Sequence, residues 1–471
     1  MLVIEYTTEE KERDIQYIMN TSTAQKENIM GTMPVGKLLM TISLPIMISM
    51  LIQSLYNVVD SYFVSKISEN ALSAVSLAFP MQSLIIAVAT GTGVGVNALL
   101  SRKLGQHDQK AVNDAAENGI FLAILSSLVF ILFGIFFARG FMAVQTDVAE
   151  IVDGGTIYLK ICTICCPGIF MSITFARLLQ STGRTIYSMI GQIAGALTNI
   201  ALDPLLIFGI GFFPEMGIAG AAVATVAGQV LGACFDIILN HYKNKDIQLS
   251  LRRFRPNGAV IKEIYIVGIP AILNNSLMAI MTYGLNKILL AFSTSATAVL
   301  GVFFKLNSFI VMPVIGLNNG LIPIVAYNFG ARKRERIISS IRLAMIWAVS
   351  YMALGLLLFQ LFPRPILSPF IEIPSTMEMG VHALRRISPG FLAGGLGFVL
   401  CASFQALHKA YYSLIVQGLR QLVIILPVAY FLALAGDVNM VWWAFPIADY
   451  LSLFICIALY IKITRDRISR I

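Results

Sequence analysis

Two aspartates of this chain lie inside apolar stretches, where a charge is costly to keep. Asp60 closes the run Tyr56-Asn57-Val58-Val59-Asp60, and Asp203 stands in Asn199-Ile200-Ala201-Leu202-Asp203-Pro204. A charge at the centre of a bilayer costs about 2.5–3.5 kcal/mol on insertion scales, so such residues mark function unless they snorkel from a span end. For Asp60 both readings stand: a position near the outer end of its span, or a carboxylate facing the interior that holds a proton or another cation. Gln53, Tyr56 and Asp60 recur at three- and four-residue spacing and share one helix face, with Asn57 beside it. A polar face on an otherwise apolar helix is the pattern of a cavity lining. Asn199 and Asp203 are also one turn apart on one face. A carboxylate beside an amide oxygen suits Na+ or a proton. Pro204 frees a backbone carbonyl one turn earlier as a further oxygen. Thr225, in the next span, is an additional candidate for the same site.

The second half of the chain carries a different set. A shift of 225 residues places Leu285 and Val428 where the first half has Asp60 and Asp203, and Lys287, Lys305, Arg420 and Asp449 fall in or near its spans. Lys305 is either the ion-pair partner of Asp449 or a charge in the cavity. Lys287 and Arg420 read as residues that snorkel from span ends. Pro45 kinks the first span upstream of Asp60 and is a candidate hinge. The run Gly91-Thr92-Gly93-Val94-Gly95 lacks the Lys-Ser/Thr of a phosphate loop, so it reads as close helix packing. The six cysteines lie in apolar stretches as small buried residues, and the four histidines share no metal spacing. No nucleophile pair or metal cluster accompanies them. The chain reads as a non-enzyme with no cofactor and no resident metal.

These side chains must be positioned by membrane helices. Hydrophobic residues make up 57% of the 471 and charged residues only 13%, too few to cover a large water-facing surface. A span takes about 20 apolar residues, and that ruler gives spans at about 37–64, 71–100, 113–138, 153–178, 186–211, 217–240, 263–292, 296–327, 337–362, 378–405, 411–435 and 440–462. The net charge of +9 gathers in short tracts between spans, such as Arg252-Arg253-Phe254-Arg255 and Arg332-Lys333-Arg334. Such tracts mark cytoplasmic loops beside anionic lipid, not a nucleic-acid surface. Both termini then lie in the cytoplasm, which requires an even number of spans.

The same shift of 225 aligns Pro45 with Pro270, Gly91, Gly95 and Gly105 with Gly316, Gly320 and Gly330, Gln180 with Gln405, and Tyr187-Ser188 with Tyr412-Ser413. This predicts an all-α polytopic membrane protein: twelve transmembrane helices in two pseudo-symmetric six-helix bundles of like topology around a central cleft. The organisation expected is a tail at 1–36, a bundle at 37–241, a cytoplasmic linker at 242–262, a second bundle at 263–463 and a tail at 464–471.

The run from Leu44-Pro45 through Gln53, Tyr56-Asn57-Val58-Val59-Asp60, Asn199 with Asp203, and Gly316-Leu317-Asn318-Asn319-Gly320 resembles the multidrug and toxic compound extrusion (MATE) family, in its bacterial MepA-like and DinF-like branches. The resemblance spans nearly the whole chain. It implies a monomeric antiporter in the bacterial inner membrane. Such a protein exports lipophilic, often cationic drugs or toxic organic cations in exchange for H+ or Na+. It also implies coupling at Asp60, Asn199 and Asp203, with Thr225 less securely matched. Gln53 and Tyr56 then flank the drug path and Pro45 marks the bending point. Partners are small molecules and membrane lipid, with no nucleic acid. The competing reading is a lipid-linked oligosaccharide flippase of the same superfamily, which needs a cation-rich cleft.

Overall fold

A computed structural model describes residues 28–211, 213–250, 254–371 and 373–470. The tail expected at 1–36 lies outside the described residues up to position 27, as do Arg252, Arg253 and Glu372. The helices that matter below are α1 (Ile29–Thr32), α2 (Val35–Ser65), α3 (Glu69–Gly105), α4 (Gln109–Phe136), α5 (Ala149–Ile164), α6 (Pro167–Ser181), α7 (Thr185–Phe208) and α8 (Ile218–Lys243). There follow α9 (Gly258–Leu290), α10 (Thr294–Gly330), α11 (Arg334–Leu361), α12 (Pro374–Ile387), α13 (Gly390–Ala406), α14 (Ala410–Gly418), α15 (Leu426–Ala433) and α16 (Ala444–Asp466).

Among the described residues ten helices are long and apolar enough to cross a membrane, and twelve spans result when each of two bent pairs counts as one. Those pairs are α5–α6, bent by 43°, and α12–α13, bent by 51°. The stretches 153–178 and 378–405 are therefore broken where continuous spans were expected. Pro167 opens α6 and Pro389 caps α13. A proline offers no N–H to the preceding turn and its ring crowds the carbonyl there, so the helix ends and restarts. A related accommodation joins α14 to α15. Residues Leu419–Ile425 widen into a π-helix just before Pro427.

The repeat seen in the residues is carried into their contacts. Ser68 caps α3 by accepting from the Ala71 N–H at 3.0 Å, and Ser293 caps α10 through the Ala296 N–H at 3.1 Å. Gln180 Nε2 donates to Ser188 Oγ at 3.4 Å, and Gln405 Nε2 to Ser413 Oγ at 3.5 Å. Even the left-handed turn residues match in pairs: His107 (φ 58°) with Arg332 (φ 56°), and Gly183 (φ 82°) with His408 (φ 63°).

The two halves meet on one side of the membrane, here termed the linker side because it carries the 244–257 connection. There α3 packs on α9 and α10, and α2 packs on α10. A Cβ on Gly105 would lie 2.0 Å from the Tyr327 carbonyl, and one on Gly330 would lie 2.1 Å from that of Arg102. These two contacts are each other's repeat copies. Residues 91–101 of α3 and 316–328 of α10 are buried throughout, whereas the other halves of these helices expose residues such as Phe79, Gly301 and Lys305. The halves thus close on the linker side and part toward the opposite side.

Candidate functional site

The α7–α8 pair positions the site. Gly191 and Gly195 of α7 face Gly228 and Gly232 of α8, a pair of small-xxx-small seams. The backbones approach so closely that a Cβ on Gly195 would lie 2.7 Å from the Gly228 carbonyl oxygen. This contact brings Asn199, the next turn of α7, against Thr225 of α8.

Asn199 and Asp203 are buried, at 3% and 0% exposure. The Asn199 amide joins Asp203 to Thr225. In one orientation Nδ2 donates to Asp203 Oδ1 at 3.4 Å and to Thr225 Oγ1 at 3.3 Å. Turning the amide over makes it donate to Asp203 Oδ2 at 3.3 Å and accept from the Thr225 N–H at 3.2 Å. Hydrogen bonding favours the second orientation, since it pairs every donor with an acceptor.

Asp60, on α2, lies within electrostatic range of this cluster. It is half-buried, and its Oδ1 has no hydrogen-bond partner. Its charge acts on Asp203 and on Tyr56, one turn before it. Gln53 and Asn57 are exposed on α2, and Tyr56 is half-buried. The N-terminal half therefore gathers two carboxylates, an amide and a hydroxyl among apolar residues. These are hard oxygen donors that suit a proton or a small hard cation such as Na+. Among the described residues no group of three His, Cys, Asp or Glu forms a metal cluster.

Three residues of this wall carried no signal in the sequence. Gln82 on α3 donates to Tyr158 Oη at 3.0 Å and to Cys162 Sγ at 3.5 Å on α5. Both Tyr158 and Cys162 feel the charge of Asp60. A lone Gln, Tyr or Cys in an apolar span looks like packing, and only the approach of three helices groups them.

The second half departs from expectation at Arg420, and one of the two readings of Lys305 falls with it. Arg420 does not snorkel: its Nε donates to Asp449 Oδ1 at 2.5 Å, with the two side chains 20% and 8% exposed. That pairing takes Asp449 from Lys305, which is exposed on α10. Lys287 is exposed and lies over the Tyr283 ring, 5.8 Å from its centroid. Pro45 lies inside an unbroken α2. The Thr41 carbonyl that it deprives of a donor is met by Thr185 Oγ1 at 3.4 Å.

Fold and site together define a polytopic helical membrane protein of two like halves that face a cleft, with a carboxylate–amide cluster buried in one of them. The MatE family model matches residues 45–205 and again residues 270–431, two copies that begin 225 residues apart. The chain belongs to the MatE family and is a MATE family transporter. Its relatives include the multidrug export protein MepA of Staphylococcus haemolyticus (strain JCSC1435), 27% identical over 440 residues, covering 92% of this chain and 96% of the relative. MepA of Staphylococcus aureus (strain MRSA252) is 28% identical, over 93% of this chain and 95% of its own. In fold the chain resembles a solved structure described as the outward-facing conformation of a multidrug resistance MATE family transporter of the MOP superfamily. The TM-score is 0.88 at 24% identity, over 95% of this chain and 98% of the other.

Proposed function

We propose that this transporter exports lipophilic, often cationic drugs or toxic organic cations from a bacterial cell, in exchange for H+ or Na+. The bundles 37–241 and 263–463 rock about the cleft to give alternating access, each chain working alone. The Lys/Arg bias makes the linker side cytoplasmic, with both termini there. The names of the MepA relatives support drug export. One observation supports ion coupling: Asp60 and Asp203 lie within electrostatic range of each other in one bundle, and Asn199 joins Asp203 to Thr225.

The geometry suggests the cycle. With the linker side closed, the cleft and Asp60 open outward. A cation entering from outside binds Asp60 and Asp203 and neutralises the wall along which a cationic drug is held. Gln53, Tyr56, Asn57 and Lys305 meet the drug, and Pro45 lets α2 bend as the site changes sides. The flippase reading needs unpaired cations in the cleft, and Arg420 is already neutralised by Asp449.

The test is ethidium efflux from vesicles with ΔpH and a Na+ gradient imposed separately. Asp60→Asn and Asp203→Asn should each lower gradient-driven efflux at least tenfold while the chain still inserts. Efflux at wild-type rates from both variants removes the coupling site. Rescue of a flippase-deficient host would instead favour the alternative.

A further inference from the structure

A second carboxyl is buried in the same half, away from the cluster above. Asp236 of α8 is 0% exposed, and neither of its carboxylate oxygens has a hydrogen-bond partner. Gly191 makes room for it, since a Cβ there would lie 2.2 Å from Asp236 Oδ1. Asp236 is eleven residues beyond Thr225, about 16 Å along the axis toward the linker side. It therefore belongs to neither the cleft nor the Asp60–Asp203 cluster.

A bare carboxylate sealed among apolar groups costs several kcal/mol, and a counter-ion or a proton is the remedy. The packed elements carry Lys37 and Asp60 on α2, Glu150, Asp153 and Lys160 on α5, Arg177 on α6 and Asp203 on α7, with His241 and Lys243 on α8 itself. None of these exerts a charge on Asp236; burial alone governs it. Among the described residues it belongs to no group of three or more His, Cys, Asp or Glu. A proton remains.

Beyond this residue a hydrogen-bonded run of buried asparagines continues to the linker side. One turn on, Asn240 Nδ2 donates to the Asp236 carbonyl at 3.1 Å and to that of Phe175 at 2.8 Å. A further turn on, Asn244 Nδ2 donates to Asn240 Oδ1 at 2.9 Å and to the Leu178 carbonyl at 3.3 Å. Both asparagines are buried, and Asn244 Oδ1 has no partner. Just beyond, Asp246 pairs with Arg184 at 3.1 Å in the connection itself. Asp236, Asn240 and the capping Asn244 thus recur at four-residue spacing along α8, and the Asp236 carboxyl stands outside the hydrogen-bonded run.

We propose that Asp236 is a second proton-binding carboxyl of this half, which holds a proton while the linker side is closed and exchanges it with the cytoplasm when that side opens. This rests on the proton arm of the antiport reading. The experiment uses the full chain in two preparations. In detergent, potentiometric titration from pH 10 to pH 4 counts the protons taken up. In liposomes, ΔpH drives ethidium transport. Asp236→Asn should take up about one proton fewer per chain and transport at least tenfold more slowly, while binding ethidium within twofold of the wild type. The same loss of a proton should appear when Asp236→Asn is added to Asp203→Asn. Asp236→Ser, smaller and neutral, replaces it where the Asn variant fails to fold, with the same outcomes. A proton-driven wild type whose Asp236 variants match it in proton count or in transport overturns this proposal alone. Transport driven by Na+ only overturns the proton arm, and this proposal with it. Loss of ethidium binding together with an unchanged proton count assigns Asp236 a purely structural part and also overturns it.

Discussion

At the scale of single residues, protons and charges are decided by what each side chain touches. His408 illustrates this outside the spans, in the turn between α13 and α14. Burial first, and then the positive charge of Arg102, hold its imidazole down to about 4, against the opposing pull of Glu263. Its unfolded counterpart titrates near 6.5. Between those values the unfolded chain binds a proton that the folded chain refuses. Stability then rises with pH across that window and falls as pH drops from about 6.5 toward 4. His408→Asn keeps a residue tolerant of the left-handed turn and removes the titration. Thermal unfolding of the detergent-solubilised chain at pH 7.5 and pH 5 should therefore show a smaller acid loss in the variant. An equal loss in both would show that His408 has no part in it. The same dependence on neighbours explains what the sequence left hidden. Asp60, Asn199 and Asp203 stand out because their types are costly in an apolar span. Gln82, Tyr158 and Cys162 are cheap there, and Arg420 gave no local hint of a partner 29 positions away.

At the scale of elements, helix termini and crossings are written in short local patterns, so they transfer well from sequence to structure. The serines that cap α3 and α10 and the glycines of their crossing recur at the 225-residue shift. The breaks at Pro167 and Pro389 were harder to see, because the apolar run continues across each and hydropathy averages over the bend. The α3–α10 crossing gives a test. Gly105 and Gly330 touch opposing carbonyls through positions a Cβ cannot share. Gly105→Leu and Gly330→Leu should each hold the linker side ajar and lower efflux at least tenfold. Gly140→Leu, at a position with nothing within 4 Å of a new Cβ, should be neutral. The readout is a cysteine at Thr182, buried in the closed form. In both crossing variants it should react with an impermeant maleimide added from the linker side, and in the Gly140 variant it should stay protected. Protection in all three would mean that the crossing is not what closes this side.

At the scale of the whole molecule, closure of the linker side is assembled from contacts between halves that must break together. The segment before α2 is one part. Asn28 Nδ2 donates to the Thr182 carbonyl at 3.1 Å, and the Met30 carbonyl accepts from Asn328 at 3.1 Å and Arg336 at 3.0 Å. The ion pair between Arg102 of α3 and Glu263 of α9, at 2.6 Å, is another. Glu263 is 40% exposed, so this pair contributes only about 0–1 kcal/mol to stability. Its larger effect is on the balance between open and closed forms, because opening separates the partners. Arg102→Glu replaces attraction with repulsion and should shift that balance toward an open linker side by about 1–2 kcal/mol, or roughly five- to thirtyfold. Maleimide labelling of the Thr182 cysteine should quicken accordingly. The swap Arg102→Glu with Glu263→Arg should restore slow labelling, since the pair is remade with its signs exchanged. Arg102 also helps to hold the His408 imidazole down, so Arg102→Glu should let that imidazole rise toward its unfolded value and make the acid loss of stability smaller. A single variant thus reports on both the gate and the turn beside it. Faster labelling that the swap fails to reverse would assign the effect to the Arg102 backbone contact with Gly330 rather than to its charge.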